Sequence, residues 1–234
     1  MSPEQPQEPI DARLVRECRR VYRRYAIEIV EAFGFCPYAE RSRLEGRTLE
    51  RVLLDRTLDL DRTLAAVAEI AQEEHLEIGL LLFPRVRAAR LEFARFVERL
   101  RAAHQRQPGG LVMAMEGFHP DAEPDTSNPA RLIPFLRRTP DPTIQLVRLS
   151  VLERVRRGSP QGTVFFDPAT TSLEALLASP PLRPLHERIA ETNHATVLRV
   201  GAERIRAIAD DILHDRDLAY APLGEPPRAR AHRR

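Results

Sequence analysis

Two short stretches concentrate the side chains able to do chemistry: Phe35-Cys36-Pro37-Tyr38-Ala39 and Phe118-His119-Pro120. A cysteine followed by proline, just beyond Gly34, suits the start of a helix with the proline in its first turn. Unpaired backbone N–H groups and the helix dipole favour the thiolate there, and the thiolate is the reactive form. Cys36 is therefore a candidate nucleophile, redox thiol or metal ligand. Pro120 stiffens the loop that carries His119, and Asp121, Glu123 and Asp125 follow it. A nearby carboxylate can orient the imidazole or join it at a metal. Paired, Cys36 and His119 support thiol-based nucleophilic catalysis with the histidine as base. With Asp121 as a third donor they support a divalent metal site, for zinc or iron. The plainer alternatives are a cysteine buried between Phe35 and Tyr38 and an exposed histidine in an acidic loop.

A third stretch runs from Arg137 to Arg148, with Pro140 and Pro142 bracketing Asp141. If the strand that follows is parallel to its neighbours, Arg148 at its end lies at the same sheet edge as His119. The planar fork of Arg148 suits a carboxylate or phosphate, and Arg138 of the same stretch is a second candidate for that task. Glu191, Asn193 and His194 interrupt an otherwise apolar helix, as an internal hydrogen-bond network or a pocket wall would require; Asn193 is the substrate-binding candidate among them. Cys18 falls within an apolar helical stripe and reads as a small core residue.

The chain has no lysine, so all 36 basic residues are arginine. Schiff-base chemistry, pyridoxal phosphate anchoring and the P-loop lysine are excluded, since each needs a primary amine. No Gly-rich nucleotide-binding motif, serine elbow, HExxH, CxxC or EF-hand loop occurs. A net charge of +2 with interspersed acids does not indicate a nucleic-acid surface. The densest basic cluster, Arg13, Arg16, Arg19, Arg20, Arg23 and Arg24, reads as a solvated helix face, and the arginine excess as a GC-rich coding bias. No apolar run reaches the roughly 20 residues a membrane helix needs, and Met1 to Ile10 lacks the character of a secretory signal. With only two cysteines, a soluble, cytoplasmic protein in a reducing compartment is the expectation.

The elements that must position these residues alternate. Leu14, Cys18, Val21, Tyr25, Ile29 and Phe33 recur at helical spacing, predicting a helix over about 11–33 that Gly34 closes. Strands are predicted over Leu49–Leu54, Ile78–Phe83 and Leu111–Met115, with helices between them, the first capped by Asp59 or Asp61. Crossover helices imply that these three strands run parallel. Gly117 to Asn128 is irregular. A short helix over Pro129–Leu136 then leads to a fourth strand at Thr143–Leu149, a helix over Val151–Arg157 and a fifth strand at Thr163–Phe166. Helices at Ser172–Leu177 and from Pro184 to about His214, broken at Gly201, complete the chain. The expected fold is a single α/β domain over 11–216: a mainly parallel sheet of about five strands flanked by helices, with the terminal helices packed on it. Residues 1–10 and 222–234 read as flexible tails.

The motifs Gly34 to Ala39, Gly117 to Pro120, Arg138 to Arg148 and Glu191-Thr192-Asn193 together resemble the mainly bacterial family known as domain of unknown function 1415. The resemblance spans about Val15 to His214 and implies no particular activity. Cys36-Pro37-Tyr38-Ala39 is also similar to a glutaredoxin site lacking its second cysteine, but a helix rather than a strand precedes it. The functional expectation is an enzyme acting on a small anionic metabolite through Cys36, His119 and Arg148, thiol-based or metal-assisted. The alternative is a non-catalytic ligand-binding or assembly protein using the same pocket.

Overall fold

The computed structural model describes residues 8–108, 112–122, 128–157 and 185–228. Helix α1 (Ile10–Tyr25) forms on the predicted stripe, with Leu14, Cys18, Val21 and Tyr25 buried. It then continues as a π-helical turn over Ala26–Glu31, where an α-helix to Phe33 was expected. The N–H groups of Ala32 and Phe35 reach the carbonyls of Ile27 and Val30, five residues back. Such a bulge widens the helix and is common at functional sites. Gly34 ends the run at a φ of 66°, a left-handed conformation that costs little only for glycine.

The chain continues through α2 (Ala39–Leu44), β1 (Thr48–Val52), α3 (Leu60–Gln72), β2 (Ile78–Leu82), α4 (Arg90–Gln105) and β3 (Met113–Phe118). Asp59 caps α3 by accepting from the Arg62 N–H. Next come α5 (Pro129–Leu136), β4 (Thr143–Arg148), α6 (Leu149–Arg157), α7 (Leu185–Val200) and α8 (Ala202–Tyr220). Gly201, at φ 92°, separates the last two helices as its position predicts. The expected strand at Thr163–Phe166 and helix at Ser172–Leu177 lie outside the described residues.

The sheet departs from the expected parallel five strands. Among the described residues it has four, in the order β1-β2-β4-β3. The β1–β2 pair is parallel, while β4 is antiparallel to both β2 and β3. The crossovers through α3 and α4 do give β1, β2 and β3 a common direction. They do not make β2 and β3 neighbours, because β4 inserts between them. Helix α5, eight residues or about 12 Å long, does not carry the chain back along a six-residue strand of about 20 Å. The chain re-enters the sheet at the end it left, and Thr143 pairs with Phe118.

Apolar clusters cover both sheet faces. One joins Ile78, Leu80 and Leu82 to α1 and α8. The other joins Leu81, Met113, Met115, Ile144 and Leu146 to α3 and α4. Several of the α1 arginines are occupied at the seam with α8. Arg20 makes a two-pronged bond to Asp215, and Arg24 reaches Glu28, Asp211 and Asp215. These partners hold the Asp215 carboxyl down at about 2.

The Thr139-Pro140-Asp141-Pro142-Thr143 stretch anchors the C-terminal region. Asp141 is 4% exposed and accepts from the Tyr220 hydroxyl at 2.7 Å, Arg216 Nε at 3.1 Å and Arg228 Nη2 at 3.2 Å. Its backbone carbonyl accepts from the hydroxyls of Thr139 and Thr143. Arg216, fully buried, lies over the Tyr220 ring and also donates to Pro84 and Pro226. Residues 222–228 fall in the stretch that composition reads as a tail. Leu223 and Glu225 are nevertheless buried, and Arg228 reaches the core acid.

Candidate functional site

A cavity of about 410 Å³ opens between the sheet and the helices above it. Its floor follows from strand alternation, which sends residues two apart to one face. On β1 these are Thr48 and Glu50, on β2 Ile78 and Leu80, on β4 Gln145 and Val147, and on β3 Ala114, Glu116 and Phe118. Register sets them in rows: Glu50 lies beside Leu80, Leu80 beside Gln145, and Gln145 beside Glu116. A row with three polar members, Glu50, Gln145 and Glu116, thus crosses a floor that is mostly apolar apart from Thr48. The roof is Tyr22 and Tyr25 of α1, Ala26, Val30 and Glu31 of the π-helical turn, and the Phe35–Ala39 loop. Asn193 and its neighbours on α7 close one side.

The loop carrying Cys36 is fixed by its surroundings. Asn193 Nδ2 donates to the Phe35 carbonyl at 3.2 Å, and the Tyr25 hydroxyl donates to the Leu136 carbonyl at 2.5 Å. Cys36 is half-buried and lines the cavity. Burial pushes its thiol up to about 11, although the backbone N–H groups of Tyr38 and Ala39 and the Tyr38 hydroxyl oppose the shift by bonding to the sulfur. Cys36 does not hold the helix-start position expected of it, because Tyr38 is the N-cap residue. Helix α2 begins three residues later, at Ala39, and desolvation outweighs its donors. The sulfur is a thiol at neutral pH.

His119 lies on the other face of the sheet. Phe118 points into the cavity, so alternation turns His119 toward α4, where its ring meets Phe93 at 5.7 Å. It is 3% exposed. Its Nδ1 accepts from the Asp121 N–H at 3.2 Å, which leaves Nε2 protonated to donate to the Ala88 carbonyl at 3.1 Å. Burial lowers the pKa of this neutral ring. Both nitrogens therefore hold backbone. The Asp121 carboxylate stands 3.8 Å from Nδ1 and is half exposed. Cys36 and His119 are not brought together, and no group of three His, Cys, Asp or Glu among the described residues could hold a metal ion.

The arginine candidates also bind the protein itself. Because β4 is antiparallel, Arg148 pairs with Met113 at the start of β3, away from the edge that carries His119. It donates to the carbonyls of Ala71, Glu73 and Leu76 and so closes the end of α3. Arg138 donates to the Pro120 carbonyl at 3.3 Å. Together with the His119 N–H, which bonds to the Arg137 carbonyl, it ties two of the sequence motifs to one another. Of the substrate-binding candidates, Asn193 alone lines the cavity.

Sequence reasoning missed Tyr22, Thr48, Glu50 and Gln145. Tyr22 is 6% exposed, and among the described residues nothing hydrogen-bonds its hydroxyl or the Gln145 amide. Thr48 Oγ1 is buried without a partner among the described residues. The signal for Gln145 was a polar residue at the centre of a buried strand, among Thr143, Ile144, Leu146 and Val147.

A family model described as "Protein of unknown function (DUF1415)" matches residues 17–176, well over half of the chain. No curated protein matches the chain, and no solved structure does.

Proposed function

We propose that this chain, which belongs to the DUF1415 family, is a small-molecule-binding protein whose ligand occupies the cavity between the sheet and the α1 roof. The observation that carries this reading is the set of polar groups on the cavity wall with no partner among the described residues: the buried Thr48 Oγ1, and beside it the Tyr22 hydroxyl and the Gln145 amide. An unpaired polar group away from water costs about 1–3 kcal/mol. Native proteins keep such groups where function uses them. The rest of the wall, including Leu80, Val147, Tyr25 and Phe35, is apolar, as is usual for sites that enclose a small molecule.

The chemistry favours binding over the thiol and metal readings. Cys36 contributes a neutral thiol, not a thiolate. His119 and Arg148 are committed to backbone carbonyls on other parts of the fold. A thiol enzyme is the second reading, and the N–H groups of Tyr38 and Ala39 at the Cys36 sulfur favour it. Binding is tested by titrating isotope-labelled protein with a library of small fragments and following the Gln145 side-chain amide and the Tyr22 ring by NMR. Hits that move both signals are the expected result. Hits that leave both unmoved, or a library with no hits, would overturn the reading.

A further inference from the structure

Three carboxylates line the cavity, and they differ in how they are neutralised. Glu31 is held by a two-pronged bond from Arg43, both contacts at 2.7 Å. Glu116 is paired with Arg137 at 2.8 Å. Glu50 has a looser partner: Arg23 stands 3.9 Å away, with its side chain 59% exposed. Arg19 is also near, but it donates to the Glu50 backbone carbonyl and not to the carboxylate. The Glu50 side chain is itself only 15% exposed. A carboxylate so far removed from water needs a closer positive partner than Arg23 supplies. The cavity wall thus carries three acids against two arginines, Arg43 and Arg137, and burial raises the Glu50 pKa against the pull of Arg23 and Arg19, although the motifs in the sequence suggested an anion site.

Tyr22 makes this more than an isolated acid. It is nine-tenths buried, lines the same cavity, and lies close enough to Glu50 to feel its charge. Its hydroxyl is unpartnered among the described residues. Thr48, two residues from Glu50 on the same face of β1, adds a buried oxygen with no partner among the described residues. A hydroxyl oxygen, a phenol and a carboxylate therefore surround one end of the cavity, and each can accept a hydrogen bond. An ammonium group, with three N–H donors and one positive charge, matches that set. The Tyr22 and Tyr25 rings add faces that attract a cation.

Resting on the small-molecule reading above, we infer that the ligand is an organic amine. Its ammonium group pairs with Glu50 beside Tyr22 and Thr48, and its apolar body extends along Leu80 and Val147 toward Cys36. Gln145, next to Leu80 in the polar row, contacts the body from the floor.

The test uses the full chain and three probes of similar shape: 2-phenylethylamine, 2-phenylethanol and 3-phenylpropanoate, titrated at neutral pH by NMR. The amine is expected to bind about tenfold or more tighter than either of the others. Glu50→Gln removes the charge and keeps the shape, and it should abolish that preference while the melting temperature stays level or rises. Equal or tighter binding of the alcohol or carboxylate overturns the amine assignment and leaves the cavity as a binding site. So does a preference that survives in Glu50→Gln. If none of the three probes binds, both the amine assignment and the binding reading fall.

Discussion

Replacing Asp141 with alanine should cost about 3–5 kcal/mol of folding stability, because it breaks a buried ion pair by removing one partner. The structure sets the size of the effect. Asp141 accepts from Tyr220, Arg216 and Arg228 while 4% exposed. Its loss leaves the fully buried Arg216 guanidinium with Asp217 and the carbonyls of Pro84 and Pro226. Those partners keep the cost from rising further. Asp141→Asn keeps one oxygen for the Tyr220 hydroxyl and loses the charge, so about 2 kcal/mol is expected, the scale of a hydrogen bond to a charged group. Against a typical total of about 5–15 kcal/mol, the alanine variant remains folded only with a much lower urea midpoint. Urea denaturation with an unchanged m-value reads this directly. A loss under about 1 kcal/mol for the alanine variant would refute the claim that this acid organises α8 and residues 222–228.

Two further outcomes follow from burial. His104 is 4% exposed, with both ring nitrogens unpartnered among the described residues, and burial lowers its pKa. A histidine whose folded pKa lies below the unfolded value of about 6.5 gives up stability as pH falls below that value, because the unfolded chain takes the proton first. His104→Leu should therefore stabilise the protein by about 1–2 kcal/mol at neutral pH. It should also flatten the fall in melting temperature between about pH 7 and 5. A destabilised variant with an unchanged pH slope would count against this. A Cys36 thiol at about 11 is roughly one part in ten thousand thiolate at pH 7, against a few parts in a hundred for an ordinary cysteine. Iodoacetamide should label it slowly near neutral pH and faster as pH rises toward 10. Rapid labelling at pH 7 would restore the thiol-enzyme reading.

Local features of the fold were legible in the sequence because they depend on near neighbours. The apolar stripe of α1, the closing role of Gly34, the break at Gly201 and the position of α5 all follow from periodicity or from one residue's backbone freedom. The order of strands was not legible in the same way. The direction of β4 depends on whether the residues after β3 cross the sheet, and nothing within Thr143 to Arg148 records that. The long-range pairing of Asp141 with Arg216 and Arg228 was hidden for a related reason. Arginines are so abundant here that no single one stands out, and Arg228 sits among prolines and arginines typical of a tail.

The site shows the same division. Cys36 and Asn193 were found from their motifs, and both line the cavity. His119 and Arg148 were chosen as chemical groups in uncommon settings, yet each settles its polar atoms on backbone groups: His119 on the Asp121 N–H and the Ala88 carbonyl, Arg148 on carbonyls. Their settings reflect the joining of loops and helix ends. Glu50 and Gln145 gain meaning only when the register places them in one row across the sheet.

Gln145→Leu tests the central claim most directly, through one titration and one melting curve on the same sample. If the amide is kept for a ligand, its loss should raise the stability of the free protein by about 0.5–1.5 kcal/mol. Binding of the fragments that shift the cavity signals should weaken about tenfold or more. A variant destabilised by more than about 1 kcal/mol that binds those fragments as the parent does would show that Gln145 serves the fold, and would contradict the account.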